Sequence, residues 1–308
     1  MTKNAIKGRF FMPSYISHAI HSEELYKELI NEDLLKENIK VYRLRGYSIA
    51  YDYAHLVPGV DNHNNSAKDY LLFLVHYIKE NHLQGNADVM AYLYGHVSHF
   101  YFDAFAHPLI YYIEKGCMPS SFLSSHFMVE GYLNSYLSEN VLNKDIIDVK
   151  AAYFNDINLN LPDIRNMIYD SYKKVYNKKH VMASFVAVHD FFNLIESLYK
   201  NTFKTMDVAR NLTKFDFFLK RNRLSTSEMA NEDHNDWLNP VTGNLHNESF
   251  LELFYQSINS SLEAIDEINN YLYNDKDFSC VEKVIPDISL DTGLPKKYGI
   301  KMLYKRRG

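Results

Sequence analysis

The run Gly95-His96-Val97-Ser98-His99-Phe100-Tyr101-Phe102-Asp103-Ala104-Phe105-Ala106-His107-Pro108 constrains this chain more than any other stretch. His99, Asp103 and His107 recur at a spacing of four, so a helix carries them as one stripe, each a little over one turn from the next. Between Asp88 and Glu114 the only charged residue is Asp103, set among Tyr92, Leu93, Tyr94, Phe100, Phe102 and Phe105. A helix apolar on nearly every face is a buried helix. An unpaired carboxylate inside it is strongly unfavourable, and no Lys or Arg lies near in sequence to relieve it. A cation must come from elsewhere, and the flanking histidines make a metal ion the simplest one.

A second pair, His126 and Glu130, repeats the spacing and is followed by Gly-Tyr-Leu-Asn-Ser-Tyr-Leu, which also reads as helix. The two stretches together offer three imidazoles and two carboxylates, the nitrogen and oxygen ligands that zinc accepts. His99 and His107 stand about 12 Å apart along a helix axis, too far to share one ion comfortably. The expected arrangement therefore has Asp103 in the middle serving two or more metals, with the histidines on different ones. Two-metal hydrolytic sites hold their ions about 3.5–4 Å apart.

The run Tyr92-Leu93-Tyr94-Gly95 through His107-Pro108, followed by His126-x-x-x-Glu130, resembles the bacterial zinc-dependent phospholipase C family, particularly intracellular members with the H-x3-D-x3-H-P form. It is more distantly similar to fungal single-strand nucleases with a trinuclear zinc site. The resemblance implies further site residues. His18, in Met12-Pro13-Ser14-Tyr15-Ile16-Ser17-His18, stands where the family places a metal-binding histidine, and His63 matches a loop histidine just before a helix. Asp52, within Arg45-Gly46-Tyr47-Ser48-Ile49-Ala50-Tyr51-Asp52-Tyr53, corresponds loosely to an acid that serves as general base or metal ligand. The implied assignment is His63, His99 and Asp103 on a first zinc, His107, His126 and Glu130 on a second, and His18 sharing Asp103 on a third. In secreted members the mature N-terminal residue also holds the third ion. Here seventeen residues precede His18, so that contribution is expected to be missing, leaving two or three ions.

The resemblance further implies an enzyme that cleaves phospholipid to diacylglycerol and a phosphorylated head group. A nuclease or nucleotide phosphodiesterase on the same zinc site is the second enzymatic reading, and a non-catalytic, metal-stabilised binding protein is the third. His189-Asp190 matches the HD phosphohydrolases, another helical metal class, in two residues only. Phe191-Phe192-Asn193 replaces the Gly-Lys that follows there.

Composition bears on architecture and compartment. Apolar residues make up 46% and aromatics 15%, while 11 Gly and 8 Pro are few for 308 residues. That balance favours long helices over a turn-rich β protein. No Pro/Gly/Ser-rich linker divides the chain, so the expectation is an all-α, single-domain helical bundle over 1–308, with a metal-site core at about 12–137 and a helical remainder from 138 onwards. Cys117 and Cys280 give no disulfide framework. The first residues lack an apolar stretch of signal-peptide length and no segment suits a bilayer span, which predicts a cytoplasmic protein.

A formal charge of −5 argues against a broad nucleic-acid-binding surface, so no stable nucleic-acid complex is expected. Lys296, Lys297, Lys301, Lys305, Arg306 and Arg307 make the last segment basic. It reads first as a solvated terminus, and secondly as a peripheral contact with phosphate or lipid head groups.

Smaller expectations follow from local chemistry. Asn86 caps the central helix, which should end or kink near Pro108. Glu114 to Ser121 is a linker with Gly116 and Pro119 as breakers. Ser66 caps a helix running to about Asn81, with Asp61 in the turn before it. His21 reads as a surface residue at a helix start, His76 and His82 as solvated, and His96 as either a partner of the site or a packed histidine. Further helical patterns occupy Pro162–Asn177, His180–Leu219 and Ser249–Tyr273, with a polar break from Asn222 to Asn247. Trp237, the single tryptophan, lines a pocket or anchors its loop.

Overall fold

The computed structural model describes residues 15–117, 125–144, 146, 149, 157–198 and 226–305. Met12-Pro13-Ser14, the Pro119 breaker, the helical pattern over 199–219, and Arg306 and Arg307 lie outside the described residues. The described part is all-α apart from one two-stranded ladder. Its ten helices are α1 (Tyr15–Asn31), α2 (Val41–Ala50), α3 (Ala67–Glu80), α4 (Ala87–Cys117), α5 (Ser125–Asn140), α6 (Pro162–Val175), α7 (Val181–Leu198), α8 (Thr226–Met229), α9 (Phe250–Asn274) and α10 (Ser279–Val284). A 3-10 turn, Tyr51–Leu56, continues α2. No described helix is long and apolar enough to cross a membrane.

The fold is built around α4, whose 31 residues rise about 46 Å at 1.5 Å each. Helices α1, α2, α3, α5, α6 and α9 all pack on it. The nearly all-apolar sequence of α4 leaves no solvent face, and Val89 to Val97 together with Phe100 are fully buried but for a 1% exposure at His96. At its start the Asn86 side chain accepts hydrogen bonds from the backbone N–H groups of Asp88 and Val89, a side-chain cap.

Two glycines show how neighbours approach α4. A Cβ on Gly95 would stand 2.7 Å from the Ser48 nitrogen and 2.9 Å from the Leu44 oxygen, backbone atoms of α2 that cannot swing aside. The absent side chain is what allows α2 to lie close against α4. Pro108 does not end the helix as its ring chemistry predicts; α4 continues to Cys117 and takes in the start of the expected linker. Pro108 has no N–H to give the Ala104 carbonyl. Gly293, at φ +65°, sits over that carbonyl so closely that a Cβ would come within 2.4 Å of it. The unpaired end of the helix ladder is therefore covered by a tight turn far along the chain.

Helix α9 begins with a capping box, Ser249 and Glu252 bonding each other's backbone N–H. Its buried stripe, Phe250, Leu253, Phe254, Ser257, Ile258, Ser261, Ile265, Ile268 and Leu272, follows the helical period. The polar break before it holds α8 and a ladder pairing Trp237 with His246. Trp237 anchors this loop: it is 3% exposed, its indole N–H donates to the Glu248 carbonyl at 3.1 Å, and it stacks on His246.

Three local expectations change. Ser66 occupies the position before α3 but at φ 65° its side chain makes no cap bond, whereas Asp61 accepts from the Asn64 N–H as turn chemistry predicts. His76 is not solvated: its ring lies 3.7 Å from that of Phe278 and bonds the Tyr271 hydroxyl, while His82 is exposed. His21 is not on the surface. It lies on α1 with 0% exposure, because the helix is already formed from Tyr15 and turns that face inward.

Candidate metal centre

Helix α4 places His99, Asp103 and His107 on one stripe, as the spacing requires, and the other elements converge on it. The 3-10 turn delivers Asp52, the loop after it His63, α1 His18, and α5 both His126 and Glu130. All eight residues singled out from the sequence meet here. One donor atom from each of Asp52, His63, His99 and Asp103 lies within 4.8 Å of the others, and His107, His126 and Glu130 form a second such group.

Asp103 stands between the groups, 2% exposed. Its Oδ2 is 2.9 Å from His99 Nε2 and 3.3 Å from His63 Nε2. Its Oδ1 is 3.2 Å from His18 Nε2 and 3.7 Å from His107 Nε2. Asp52 Oδ1 lies 3.3 Å from His99 Nε2 on the first side. Glu130 Oε1 lies 3.0 Å from His126 Nε2 and 3.8 Å from His107 Nε2 on the second.

The far side of each ring decides what occupies the near side. His99 Nδ1 is 3.0 Å from the Ser48 carbonyl, and His107 Nδ1 is 3.1 Å from the Leu290 carbonyl. His63 Nδ1 is 3.1 Å from Asp291 Oδ1, and His126 Nδ1 is 3.1 Å from Glu114 Oε2. A carbonyl or carboxylate oxygen only accepts, so all four Nδ1 atoms carry the hydrogen and donate it. Each neutral ring then presents a bare Nε2 lone pair to carboxylate oxygens, an acceptor facing an acceptor. Only a cation resolves that, whether a proton or a metal ion.

The buried atoms without a hydrogen-bond partner tell the same story. They include His99 Nε2 and Asp103 Oδ2, which face each other inside the first group, and Oε2 of Glu130, the oxygen of that carboxylate not turned to His126 and His107. Imidazole nitrogens with their other nitrogen tied to an outer acceptor, mixed with carboxylates, are what a zinc site offers. The residues fit the metal.

The electrostatics without metal follow from this geometry. Burial works to lower the pKa of His99, but Asp103 and Asp52 outweigh it and raise the ring to about 9. Burial likewise opposes charge on His126, yet Glu130 and Glu114 lift it to about 10. His63 and His107 are raised against burial by their neighbouring carboxylates. Burial disfavours the Asp103 charge, but His107, His99 and His18 hold its carboxyl well below the usual range. A metal-free centre thus stays closed by taking up protons where cations belong.

His18 differs from the other four. It stacks flat on His99 with ring centroids 3.8 Å apart, and its buried Nδ1 has no hydrogen-bond partner. Burial and His99 lower its pKa. His96 is packed and takes no part: Nδ1 donates to the Tyr92 carbonyl at 2.9 Å, and burial lowers its pKa to about 3.

Sequence reasoning missed Asp291, which lies 228 residues from His63 and accepts from it, from Asn64 Nδ2 at 2.8 Å and from the Tyr111 hydroxyl at 3.4 Å. It also approaches His107 Nδ1 at 3.9 Å, so His63, His107 and Asp291 form a third cluster of potential ligands. That cluster gathers the outer, N–H-bearing atoms of two rings whose Nε2 atoms point inward. We read it as an orienting carboxylate behind the site, not as a third ion's cage. The next residue back completes the clamp: the Leu290 N–H donates to the His63 carbonyl while its own carbonyl accepts from His107. No spacing signal marks Asp291, since its contacts are tertiary and it sits in an Asp-Thr-Gly turn.

The fold and the centre define a helical protein with two histidine–carboxylate groups beside one buried aspartate, a donor set suited to binding zinc. A family model described as zinc dependent phospholipase C matches residues 12–205, and the chain belongs to that family. The match covers every site residue expected from the sequence and leaves out Asp291 and α9. Comparison with curated proteins and with solved structures found no match.

Proposed function

We propose that this chain hydrolyses phospholipid as a phospholipase C, breaking the phosphate–oxygen bond on the glycerol side to release diacylglycerol and a phosphorylated head group. The observation that carries the reading is the division of Asp103, one oxygen facing His63 and His99 and the other facing His18 and His107. Within a phospholipase C family, that division supports a bridging acid between two cations. His63, His99 and Asp103 would hold one ion and His107, His126 and Glu130 the other, with His18 on Asp103 available to a third.

Zinc held by these groups would lower the pKa of water towards about 7 and offset charge on phosphoryl oxygens. Asp52 has a distinct part. Its side chain is 28% exposed, against 3% for Asp103 and 4% for Glu130, so it is the carboxylate that solvent and substrate reach. It orients the attacking water and accepts its proton. The buried histidines keep their Nε2 atoms aimed inward through the Nδ1 contacts, so the groups are set before substrate arrives.

Assays of the purified, zinc-loaded protein on mixed phospholipids, single-stranded nucleic acid and cyclic nucleotides test this. The expected result is release of phosphorylated head group from lipid, abolished by chelation. Turnover of nucleotides alone would overturn the lipid assignment, and full metal content without any turnover would leave a metal-stabilised binding protein.

A further inference from the structure

Among the described residues, one short segment carries an unusual density of exposed apolar side chains. Tyr298 is 50% exposed, Ile300 53%, Leu303 63% and Tyr304 39%, four of the ten large apolar side chains that stand in solvent among the described residues. Leu245, at 65%, belongs to the ladder whose connecting turn this segment packs against. The segment is held, not loose: the N–H groups of Leu303 and Tyr304 both donate to the Pro240 carbonyl, at 2.7 and 3.0 Å. The Tyr304 ring covers Gly243, where a Cβ would meet it at 2.6 Å. A fastened strap that turns isoleucine, leucine and tyrosine outward is presenting them to something.

Charge identifies the partner's chemistry. From Thr292 to Gly308 there is no Asp or Glu, but Lys296, Lys297, Lys301, Lys305, Arg306 and Arg307 are present, in a chain whose net charge is −5. Lys296 is engaged by Asp287 at 2.5 Å, and Lys297 lies over the Tyr298 ring at 5.2 Å. Lys301 and Lys305 are exposed beside the apolar residues. Outward apolar and aromatic side chains interleaved with cations match the depth profile of an anionic bilayer surface, with tyrosines at head-group level and lysines on the phosphates.

Position supports the same occupant. The strap leaves the metal centre at Asp291, which bonds His63 directly, and the seven residues to Tyr298 span at most about 25 Å. The start of the strap therefore lies no more than about 25 Å from the metal centre.

We propose that residues 296–305 form a docking face for anionic phospholipid membranes, by which the protein settles on the surface that holds its substrate. The proposal deepens the phospholipase reading, but binding and turnover are measured separately. The zinc-loaded 308-residue chain is co-sedimented with vesicles of phosphatidylcholine alone and of phosphatidylcholine and phosphatidylserine at three parts to one. Hydrolysis of a soluble short-chain phosphatidylcholine and zinc content are followed in parallel.

The parent protein is expected to favour the serine-containing vesicles, and added salt to weaken that preference. I300S/L303S should lower partitioning at least tenfold, and K301E/K305E should remove the preference for phosphatidylserine, both with unchanged short-chain turnover and zinc content. Equal sedimentation of parent and variants would overturn the face, as would absence of parent binding, or a parent that dimerises through this segment in sedimentation velocity. Vesicle binding with no short-chain turnover would instead retain the face and remove the phospholipase assignment.

Discussion

Two clusters of buried histidine lie on either side of Phe102, and they solve the same problem in opposite ways. Phe102 stacks on His21 at 4.9 Å and meets His18 edge-on at 5.1 Å. On one side, His21 Nδ1 pairs with Ser98 Oγ and Nε2 with Ser257 Oγ, both at 2.8 Å, while Ser22 Oγ meets Ser98 Oγ and Ser257 passes its hydrogen to the Phe254 carbonyl. A hydroxyl gives or takes as needed, so this network closes without any ion. On the other side His63, His99, His107 and His126 face carboxylates and are backed by oxygens that only accept, and the network stays open until a cation enters. Burial alone therefore does not separate a packed histidine from a metal ligand; the chemistry of its two partners does.

The largest effect should come from breaking the open cluster at its centre. Asp103→Asn is expected to remove bound zinc from both groups and to lower phosphodiester hydrolysis by roughly 10³-fold or more, checked by elemental analysis and turnover on the same preparation. The closed cluster should behave in the reverse sense. His21→Ala leaves Ser98 and Ser257 without their shared partner and opens a cavity between α1, α4 and α9, destabilising the fold by about 2–4 kcal/mol in urea unfolding. Zinc stoichiometry should not change.

Next in size is the orienting acid. Asp291→Asn keeps the shape but replaces the carboxylate behind His63, and is expected to weaken zinc binding by about 10–100-fold in competition with a chromophoric chelator. Equal affinity in parent and variant would make Asp291 a packing residue only.

The smallest effect is the pH response, and its sign differs between the clusters. In metal-free protein, His99 and His126 have folded pKa values of about 9 and about 10, above the 6.5 of the unfolded chain. The stability they give is complete below pH 6.5 and is lost as pH rises through 9 to 10. His21 is pushed well below 6.5 by burial and then by His18. Its contribution is complete above 6.5 and is lost as pH falls. Urea midpoints of the metal-free protein should thus fall on the alkaline side, and zinc should abolish that loss by taking the protons' place. Persistence of the alkaline loss in the zinc-loaded protein would contradict the exchange.

The sequence made the open cluster legible and hid the closed one, for a physical reason. His99, Asp103, His107, His126 and Glu130 announce themselves by a spacing of four on helices, which is local information. Asp52, His63 and His18 carry no such spacing, and only likeness to the phospholipase C pattern singled them out. Ser98 and Ser257, the partners that make His21 a core residue, lie 77 and 236 positions away from it. Nothing in Ser22-Glu23-Glu24 distinguishes a buried turn of helix from a charged start. Asp291 was hidden in the same way, and the continuation of α4 past Pro108 was not legible because the turn at Gly293 that covers the Ala104 carbonyl is invisible until the chain folds.

Anomalous scattering at the zinc edge from crystals of the loaded protein tests the central claim most directly. The account predicts one ion about 2.0–2.1 Å from Nε2 of both His63 and His99, a second at the same distance from Nε2 of His107 and His126, and Asp103 between them. Peaks absent from this pocket, or ions bound on the Nδ1 side with His63, His107 and Asp291, would contradict it.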